Sequence, residues 1–250
     1  MNGLAVITGG AGHLGRTVAR RLGAEGRAVA LWDRDAAALE RAGRELSTAG
    51  VRCRTACVDV TDAAAVRAAA GALAGAEEGP PRVLVAAAGW SPKRAGARPA
   101  TADISAEEWR AVLDVNLTAV FNAVAALLPG MAAAGGGRIV AISSTAGVAG
   151  SATAGVHYCA AKAGVLGLVR ALAAELAPQG ILVNAVAPGK VHNPQWEDTP
   201  EARETYARSV PLGRLATAEE VGEVIAFLAS ERNTYTTGAT LVVDGGRLSR

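Results

Sequence analysis

The sequence has little of three things that mark specialised classes of protein: cysteine, aromatic residues and an excess of one charge. Of its 250 residues 3 are cysteine and 4% are aromatic, and 25 basic side chains are balanced by 23 acidic ones. An odd number of cysteines without a Cys-x-x-Cys pair indicates neither a disulfide framework nor a metal site. A formal net charge of +2 without a dense basic run argues against nucleic acid and anionic membranes as partners.

The sequence also lacks an uninterrupted apolar segment of the roughly 20 residues that a membrane helix requires. Its longest stretch without charge lies between Asp114 and Arg138 and is broken by Asn116, Pro129 and the glycines at 135–137. We predict that this stretch forms a buried helix. The first residues do not show a basic segment followed by an apolar one, which is the pattern of a secretory signal. We therefore expect a cytoplasmic protein with reduced thiols.

What the sequence does contain is an alternation of short β-branched runs with longer helical patterns. Because the apolar runs lack polar alternation and are followed by helical segments, they indicate a parallel sheet covered on both faces. We predict an α/β fold with a doubly wound, Rossmann-type parallel sheet, as a single domain over residues 1–250 with a substrate loop at about 190–210. Predicted strands span residues 4–8, 28–32, 54–58, 83–87, 138–143, 182–187 and 239–243, and predicted helices span 14–25, 35–49, 63–74, 105–128 and 157–177.

A glycine-rich segment, TGGAGHLG over residues 8–15, follows the first predicted strand. Gly10, Gly12 and Gly15 match the G-x-G-x-x-G pattern between a strand and a helix. Such glycines permit a tight turn and a close approach of the backbone to a pyrophosphate, which the N–H groups at the start of the helix bind. The segment therefore predicts a dinucleotide site.

An acidic residue at the end of the second predicted strand supports this site. Asp33 stands where a carboxylate accepts the ribose hydroxyls, and it repels a 2′-phosphate, so NAD is favoured over NADP. Arg34 keeps NADP open, because its guanidinium either holds that phosphate or is a solvent-facing charge beside Asp35. Asp59 and Val60, after the third strand, either position the adenine or begin the next helix.

Tyr158 and Lys162 are four residues apart near the start of a predicted helix and so share one of its faces. A tyrosine with its ordinary pKa near 10 is a poor base at neutral pH, but a nearby ammonium stabilises the phenolate and lowers that pKa. Ser144 ends the preceding strand, where its hydroxyl is placed to bond a reacting carbonyl. Asn116 lies in an otherwise apolar helix, where a buried amide needs partners. The four residues together indicate proton exchange with an alcohol or ketone.

These residues, with four further motifs, resemble the short-chain dehydrogenase/reductase family over nearly the full length of the chain. The further motifs are Asn184 to Gly189, Pro211 to Arg214, Thr237-Gly238 and Asp244 to Gly246. The resemblance implies that Tyr158 is the acid/base, and that Lys162 lowers its pKa and binds the nicotinamide ribose. It implies that Ser144 polarises the substrate oxygen and that Asn116 holds a water in a proton relay.

The same resemblance implies a set of cofactor contacts, with NAD as the cofactor and NADP as a possible second one. They are Gly9, Gly10, Gly12, His13, Leu14, Gly15, Asp33, Arg34, Asp59, Val60, Ala88, Gly89, Tyr158, Lys162, Pro188, Gly189, Val191 and Asn193.

The chain departs from the family pattern at several positions. His13 stands where the family usually has glycine, and it is either near the pyrophosphate or a structural residue at the start of a helix. Residues 86–88 are all alanine where the family commonly has Asn-Asn-Ala, and the interval from Ser144 to Tyr158 is one residue longer than expected. Asn193 is expected to replace a threonine that holds the carboxamide.

Several loop residues near this site are candidates for contacting the substrate. The charged ones either bind a carboxylate or phosphate on a small substrate or are solvated loop charges. The aromatic ones either line the pocket or anchor the loops. These candidates are Trp90, Lys93, Arg94, Arg98, Lys190, His192 and Trp196.

We predict an NAD-preferring oxidoreductase that interconverts a secondary alcohol and a ketone of a small, polar or anionic substrate. The alternative is a 3-oxoacyl-thioester (acyl-carrier-protein) reductase using NADPH, against which Asp33 argues. A catalytically silent nucleotide-binding regulatory protein is a third interpretation, but such a protein has no need of a phenolate beside an ammonium. The apolar helix faces around 116–128 and 160–174, together with the family's tetramers, predict a homotetramer or homodimer.

Overall fold

Seven parallel strands form one sheet in the computed structural model, which describes residues 3–94, 96–194 and 199–249. The strands are β1 Leu4–Thr8, β2 Val29–Asp33, β3 Cys53–Cys57, β4 Pro81–Ala86, β5 Gly137–Ile142, β6 Ile181–Pro188 and β7 Thr240–Val243. Their order across the sheet is β3-β2-β1-β4-β5-β6-β7. The order reverses between β1 and β4, and a crevice for ligands lies beyond the carboxyl ends of the strands at such a point. The predicted doubly wound sheet is confirmed.

Helices cover both faces of the sheet. Those of the described residues are α1 His13–Ala24, α2 Ala36–Thr48, α3 Ala63–Gly71, α4 Ala106–Leu113, α5 Ala119–Ala133, α6 Thr145–Ala149, α7 Val156–Leu176, α8 Pro200–Arg208 and α9 Ala218–Ala229. Helices α1, α2 and α9 pack into one core, and α3, α5 and α7 pack into the other. Strand residues alternate between these cores, as a period of two requires: in β1, Leu4 and Val6 face one core, while Ala5 and Ile7 face the other.

All seven predicted strands are present with ends within two residues, but α6, α8 and α9 were not predicted. Helix α8 occupies part of the segment that we expected to be a loop, 190–210. Its start has a clear local cause, since the Thr199 hydroxyl accepts a hydrogen bond from the Ala202 amide and Pro200 is the first helical residue. Helix α9 begins with a complete capping box formed by Thr217 and Glu220.

The charge-free stretch lies in one continuous helical segment, Ala106–Ala133, that joins α4 and α5 through a π-helical turn at Asp114–Thr118. By length and composition it could cross a membrane, with a mean hydropathy of 1.8. Here α5 packs instead on β4, β5 and α3. Its buried amide is satisfied within the fold, because Asn122 Nδ2 donates to the Val60 carbonyl at 3.1 Å. The segment therefore covers the sheet with one face, which buries Leu127 and Met131, and leaves Phe121 54% exposed, so the predicted buried helix is buried only in part.

Candidate active site

The turn after β1 is built so tightly that only glycine fits. Gly9 has a φ of +64°, and a Cβ there would lie 2.8 Å from the Ala88 Cα. A Cβ on Gly10 would lie 2.7 Å from the Leu31 Cβ, and one on Gly15 would collide with the Gly9 carbonyl oxygen. Gly12 is the N-cap of α1 and brings no side chain to its amides. The N–H groups at the start of α1 are thus kept for another acceptor, which suits a pyrophosphate.

Asp33 lies against this turn from the end of β2. Its Oδ2 accepts a hydrogen bond from the Ala11 amide at 3.2 Å, and its Oδ1 accepts one from the Asp35 amide at 3.2 Å. These bonds hold the carboxylate at the edge of the turn, where a ribose next to the pyrophosphate needs an acceptor. Arg34 is exposed.

Asp59 follows β3 at the same edge of the sheet. Its carboxylate accepts hydrogen bonds from the Thr61 hydroxyl at 2.7 Å and from the Thr61 amide at 2.9 Å. Those bonds, with a smaller contribution from the charge of Arg34, hold its pKa below the ordinary value. The alternative of Asp59 as the cap of the next helix is wrong, because Asp62 caps α3 through hydrogen bonds from the amides of Ala64 and Ala65.

Ser144, Tyr158 and Lys162 converge beyond the carboxyl end of β5. Ser144 is the N-cap of α6 and accepts a hydrogen bond from the Ala146 amide at 3.1 Å. The Lys162 Nζ lies 5.7 Å from the centre of the Tyr158 ring. Helix α6 packs closely on α7 at this lysine, because a Cβ on Gly147 would lie 2.5 Å from the Lys162 carbonyl carbon. The short helix after Ser144 therefore sets the distance between the serine and the Tyr-Lys pair.

Burial raises the pKa of Tyr158 above its ordinary value, and a hydrogen bond with Ser144 acts in the opposite direction. The net direction is opposite to the lowering that we expected from Lys162. The cause is that the half-buried phenol loses the water that would solvate a phenolate. The nearby ammonium is itself 3% exposed, and burial lowers its pKa from 10.5 to about 8.

Lys162 is held by the backbone of β5. Its Nζ donates to the Ile142 carbonyl at 2.8 Å, and its own carbonyl accepts a hydrogen bond from the Ser143 hydroxyl at 2.8 Å. A Cβ on Gly89 would lie 3.4 Å from the same Nζ. The ammonium thus lies beside Gly89, where any larger residue would crowd it.

Asn116 lies in the π-helical turn and is fully buried. Its Nδ2 donates to the carbonyls of Trp90 at 2.7 Å and Val112 at 2.9 Å, and its Oδ1 accepts from the Trp90 amide at 3.2 Å. Both amide protons are therefore used within the protein, and one lone pair of Oδ1 remains. Asn116 fixes the chain where it leaves β4; its expected role in a proton relay stays a prediction.

The segment after β6 closes the other side of the site. The Gly189 amide donates to the Val243 carbonyl at 2.9 Å, and a Cβ on Gly189 would lie 3.2 Å from the Asp244 Cα. The Lys190 amide donates to the Tyr206 hydroxyl at 2.8 Å, so α8 is tied to the end of β6. Val191 forms a bridge with Ala216, and His192 is exposed. Trp196 lies outside the described residues.

The loop after β4 uses most of its charges within the protein. The Lys93 ammonium donates to the Thr153 carbonyl. Arg94 pairs with Glu108 at 2.5 Å and donates to the Asp103 carbonyl at 3.0 Å. Arg98 is exposed.

Known proteins are similar in sequence to this chain over nearly its full length. A sequence model of the family described as enoyl-(acyl carrier protein) reductase matches residues 9–247. The chain is 38% identical to 2-dehydro-3-deoxy-L-rhamnonate dehydrogenase (NAD(+)) of Sphingomonas sp. (strain SKA58), over 97% of this chain and 94% of that protein. It is 42% identical to cis-4-hydroxycyclohexanecarboxylate dehydrogenase of Sinomonas cyclohexanicum, over 97% of this chain and 95% of that protein.

A solved structure is also similar to this chain, both in fold and in sequence. The 3-oxoacyl-[acyl-carrier protein] reductase with bound NAD from Brucella melitensis superposes with a TM-score of 0.91 and 36% identity, over 98% of this chain and 90% of that one. This chain belongs to the short-chain dehydrogenase/reductase family. It is an NAD(P)-dependent oxidoreductase that acts on CH–OH groups, and the predicted family, enzyme class and nicotinamide cofactor are confirmed.

The residues of this short-chain dehydrogenase/reductase fit the dinucleotide. The glycine turn and the uncapped start of α1 suit the pyrophosphate, Asp33 suits a ribose, and Lys162 beside Gly89 suits the nicotinamide half. A Cβ on Gly89 would lie 3.1 Å from the Asn116 Oδ1, so a side chain there would fill the space between these parts.

Two residues of the site were missed by the sequence analysis. His157 is fully buried directly before Tyr158, and its Nε2 lies 3.1 Å from the Glu108 Oε1. Ser105 and Glu108 have the spacing of a capping box. One half is present, since the Glu108 amide donates to the Ser105 hydroxyl at 3.1 Å, but the carboxylate binds Arg94 and His157. The sequence signal that could have revealed the pair is that an acidic residue, Glu108, and a basic residue, His157, stand in two segments that both lead into this site.

Proposed function

We propose that the chain is an NAD-preferring dehydrogenase for a secondary hydroxyl group on a small substrate that carries a carboxylate. The observation that carries the proposal is the convergence of Ser144, Tyr158 and Lys162 beyond β5, beside the glycine turn that Asp33 borders. A binding protein gains nothing from a phenol and an ammonium held together in this way.

In this proposal Tyr158 transfers the proton, Ser144 binds the substrate oxygen and the phenol, and Lys162 stabilises the phenolate. Ser144, whose oxygen is oriented by the Ala146 amide, bonds the substrate oxygen and the phenol. In the oxidation direction the ionised oxygen of Tyr158 takes the hydroxyl proton, and in reduction the neutral phenol gives its proton to the carbonyl oxygen and becomes the phenolate. Lys162 stabilises the phenolate by its charge and binds ribose hydroxyls. The nicotinamide, when bound, accepts or donates the hydride.

The preference for NAD rests on Asp33. Its carboxylate is held against the glycine turn by two backbone amides, so a 2′-phosphate on the ribose would meet a fixed negative charge. Asp33→Ala is expected to lower the NAD-over-NADP ratio of kcat/KM by about tenfold or more. Steady-state kinetics with both cofactors measures it. Glu40→Ala, which removes a 70% exposed carboxylate from α2, is the control, and an unchanged ratio in Asp33→Ala contradicts this role.

Two observations support a carboxylate on the substrate, the cations near the site and the names of two relatives. Arg98 is an exposed cation on the loop after β4, and Lys190, whose ammonium lies over the Tyr206 ring, stands on the segment after β6. The names of both relatives describe substrates that are hydroxy or keto acids. A single cation near the reacting carbon is enough to favour such an anion over a neutral alcohol.

A matched panel of substrates tests the proposal. With NAD, cis-4-hydroxycyclohexanecarboxylate is expected to be oxidised with a kcat/KM at least about tenfold above that of cyclohexanol, which lacks only the carboxylate. The appearance of the reduced nicotinamide absorbance measures turnover. Equal turnover of both alcohols contradicts the carboxylate, and no turnover of any alcohol or ketone contradicts the dehydrogenase.

A second candidate function is reduction of a 3-oxoacyl thioester. It is favoured by the similarity to the Brucella melitensis reductase. Acetoacetyl-coenzyme A with NADH or NADPH forms the second arm of the panel. A kcat/KM for this thioester above that of every hydroxy acid would favour the second function.

We also propose a cytoplasmic homotetramer or homodimer, with residues 190–210 beside the substrate. Three free thiols, Cys53, Cys57 and Cys159, suit a reducing compartment. Helices α4 and α5 expose large apolar side chains, Trp109 at 39% and Phe121 at 54%, which suit a contact with a second copy. Sedimentation velocity at micromolar concentration distinguishes these assemblies from a monomer.

A further inference from the structure

The first turn of α7, which carries Tyr158, begins without a conventional cap. Its N-cap residue is Gly155, which has no side chain to accept the amide hydrogens of the first turn. Serine, threonine, aspartate or asparagine usually does so, and its loss destabilises the helix. No side chain fits at this position, since a Cβ on Gly155 would lie 2.8 Å from the His157 Nδ1.

The imidazole of His157 takes over the role of the missing cap. Its Nδ1 accepts a hydrogen bond from the Tyr158 amide at 2.9 Å, within the first turn of the helix. The ring is fully buried. Because Nδ1 is the acceptor, the proton of the neutral ring is on Nε2.

Glu108 fixes this tautomer from α4. The Nε2 of His157 lies 3.1 Å from the Glu108 Oε1, and the other carboxylate oxygen pairs with Arg94 at 2.5 Å. The hydrogen bond with His157, followed by the charge of Arg94, holds the Glu108 pKa below its ordinary value. An ionised carboxylate therefore orients the ring, as second partners orient histidines in other sites.

We propose that His157, oriented by Glu108, is a positioning residue for Tyr158 in the reaction. The pair fixes the backbone of the tyrosine at its own amide, so the phenol oxygen is held in line with Ser144. Through Arg94 the same carboxylate also joins the loop after β4 to the first turn of α7. This inference rests on the proposed role of Tyr158 as acid/base.

The expected consequence is a loss in the chemical step rather than in binding. A displacement of about 1 Å in a reacting group can cost about 100-fold in rate, and release of one backbone hydrogen bond allows a smaller movement. The cofactor contacts at the glycine turn and at Lys162 do not involve His157. The turnover number should therefore fall while cofactor affinity stays the same.

Two substitutions of His157 separate positioning from packing. His157→Leu fills the space but removes the acceptor, and we expect kcat to fall by about tenfold with the KM for substrate and the Kd for NADH within about twofold. His157→Asn places an amide oxygen near the position of Nδ1, and we expect it to keep kcat within about threefold of the parent. Substrate is the compound of the above panel with the highest turnover, and NADH binding is followed by its fluorescence.

Glu108→Ala tests the pair independently of the buried ring. We expect its kcat to fall by about threefold or more, because Nε2 loses its acceptor and the tautomer is no longer fixed. Glu107→Ala is the matched control: its carboxylate is the neighbouring one on α4, is 80% exposed, and its loss should leave kcat unchanged.

A folded His157→Leu variant with the parent kcat overturns the inference, and so does a His157→Asn variant that loses as much as His157→Leu. If thermal melting shows that His157→Leu does not fold, an unchanged kcat in Glu108→Ala overturns it. Failure of the proposed role of Tyr158 gives a different result, because Tyr158→Phe would then remain active whatever happens at His157.

Discussion

Tyr158→Phe is expected to lower kcat by about 1,000-fold, in the range of general acid–base contributions, while the Kd for NADH changes by less than about twofold. The substitution removes one oxygen and keeps the ring that lies 5.7 Å from the Lys162 Nζ. The ring packing and the lysine that suits the nicotinamide ribose are thus retained. Only the atom that exchanges the proton is lost.

The matched control for this variant is Tyr235→Phe, because Tyr235 is 96% exposed and its hydroxyl meets solvent. It should keep the parent kcat. Steady-state turnover and a fluorescence titration with NADH measure the two effects separately. Near-parental turnover by Tyr158→Phe would exclude the tyrosine as acid/base and would make Ser144 the next candidate for that role.

Lys162→Met is expected to make the protein more stable and to lower kcat by about 100-fold or more. The ammonium is 3% exposed, and burial lowers its pKa from 10.5 to about 8. A lowering of this size corresponds to about 3 kcal/mol of unfavourable folding free energy at neutral pH. Methionine fills a similar volume without charge but leaves the Ile142 carbonyl without this donor, so we expect a net gain of about 1–2 kcal/mol.

The direction of the Lys162 pKa shift also determines how the free energy of unfolding changes with pH. The folded-state pKa lies below the unfolded one, so below pH 8 the folded protein must bury a charged ammonium and the whole penalty is present. Between about pH 8 and 10.5 the unfolded chain still binds the proton while the folded one does not, and the free energy of unfolding contributed by this group rises with pH. The difference between Lys162→Met and the parent should therefore be largest near pH 7 and shrink toward pH 10.5.

Urea unfolding of both proteins without cofactor at pH 7 and pH 10 measures this difference. Arg41→Met, on the exposed outer face of α2, is the control for loss of a positive charge, and it should leave stability nearly unchanged at both pH values. A Lys162→Met variant less stable than the parent at pH 7 would mean that contacts of the ammonium outweigh the cost of burying it.

Much of the fold could be predicted from the sequence because its signals are local. A strand that is buried on both faces is a short apolar run wherever it lies, and the glycine turn after β1 requires glycine for steric reasons within a few residues, such as Gly15 against Gly9. Helix α8 was missed although its start at Thr199-Pro200 is also local. There the whole segment of about 190–210 was predicted to be a substrate loop.

The partners of the charged residues could not be predicted, because they depend on which segments meet in space. Arg94 was a candidate for binding a substrate anion, yet it pairs with Glu108, whose carboxylate also contacts His157, 49 residues away. Many acidic residues of the chain are possible partners for Arg94. Only the packing of α4 against the first turn of α7 selects one.

By itself the sequence determined the seven strands, the helical segments of α1 to α5 and α7, the glycine turn, the acid at Asp33 and the spacing of Tyr158 and Lys162, since each of these is a pattern within a few residues. Only the tertiary structure decided how those groups behave. The Tyr158 pKa is raised rather than lowered, and the Lys162 pKa falls to about 8, because both shifts depend on how much water the surrounding segments exclude. Burial is a property of the assembled layers, and no local pattern in the chain records it.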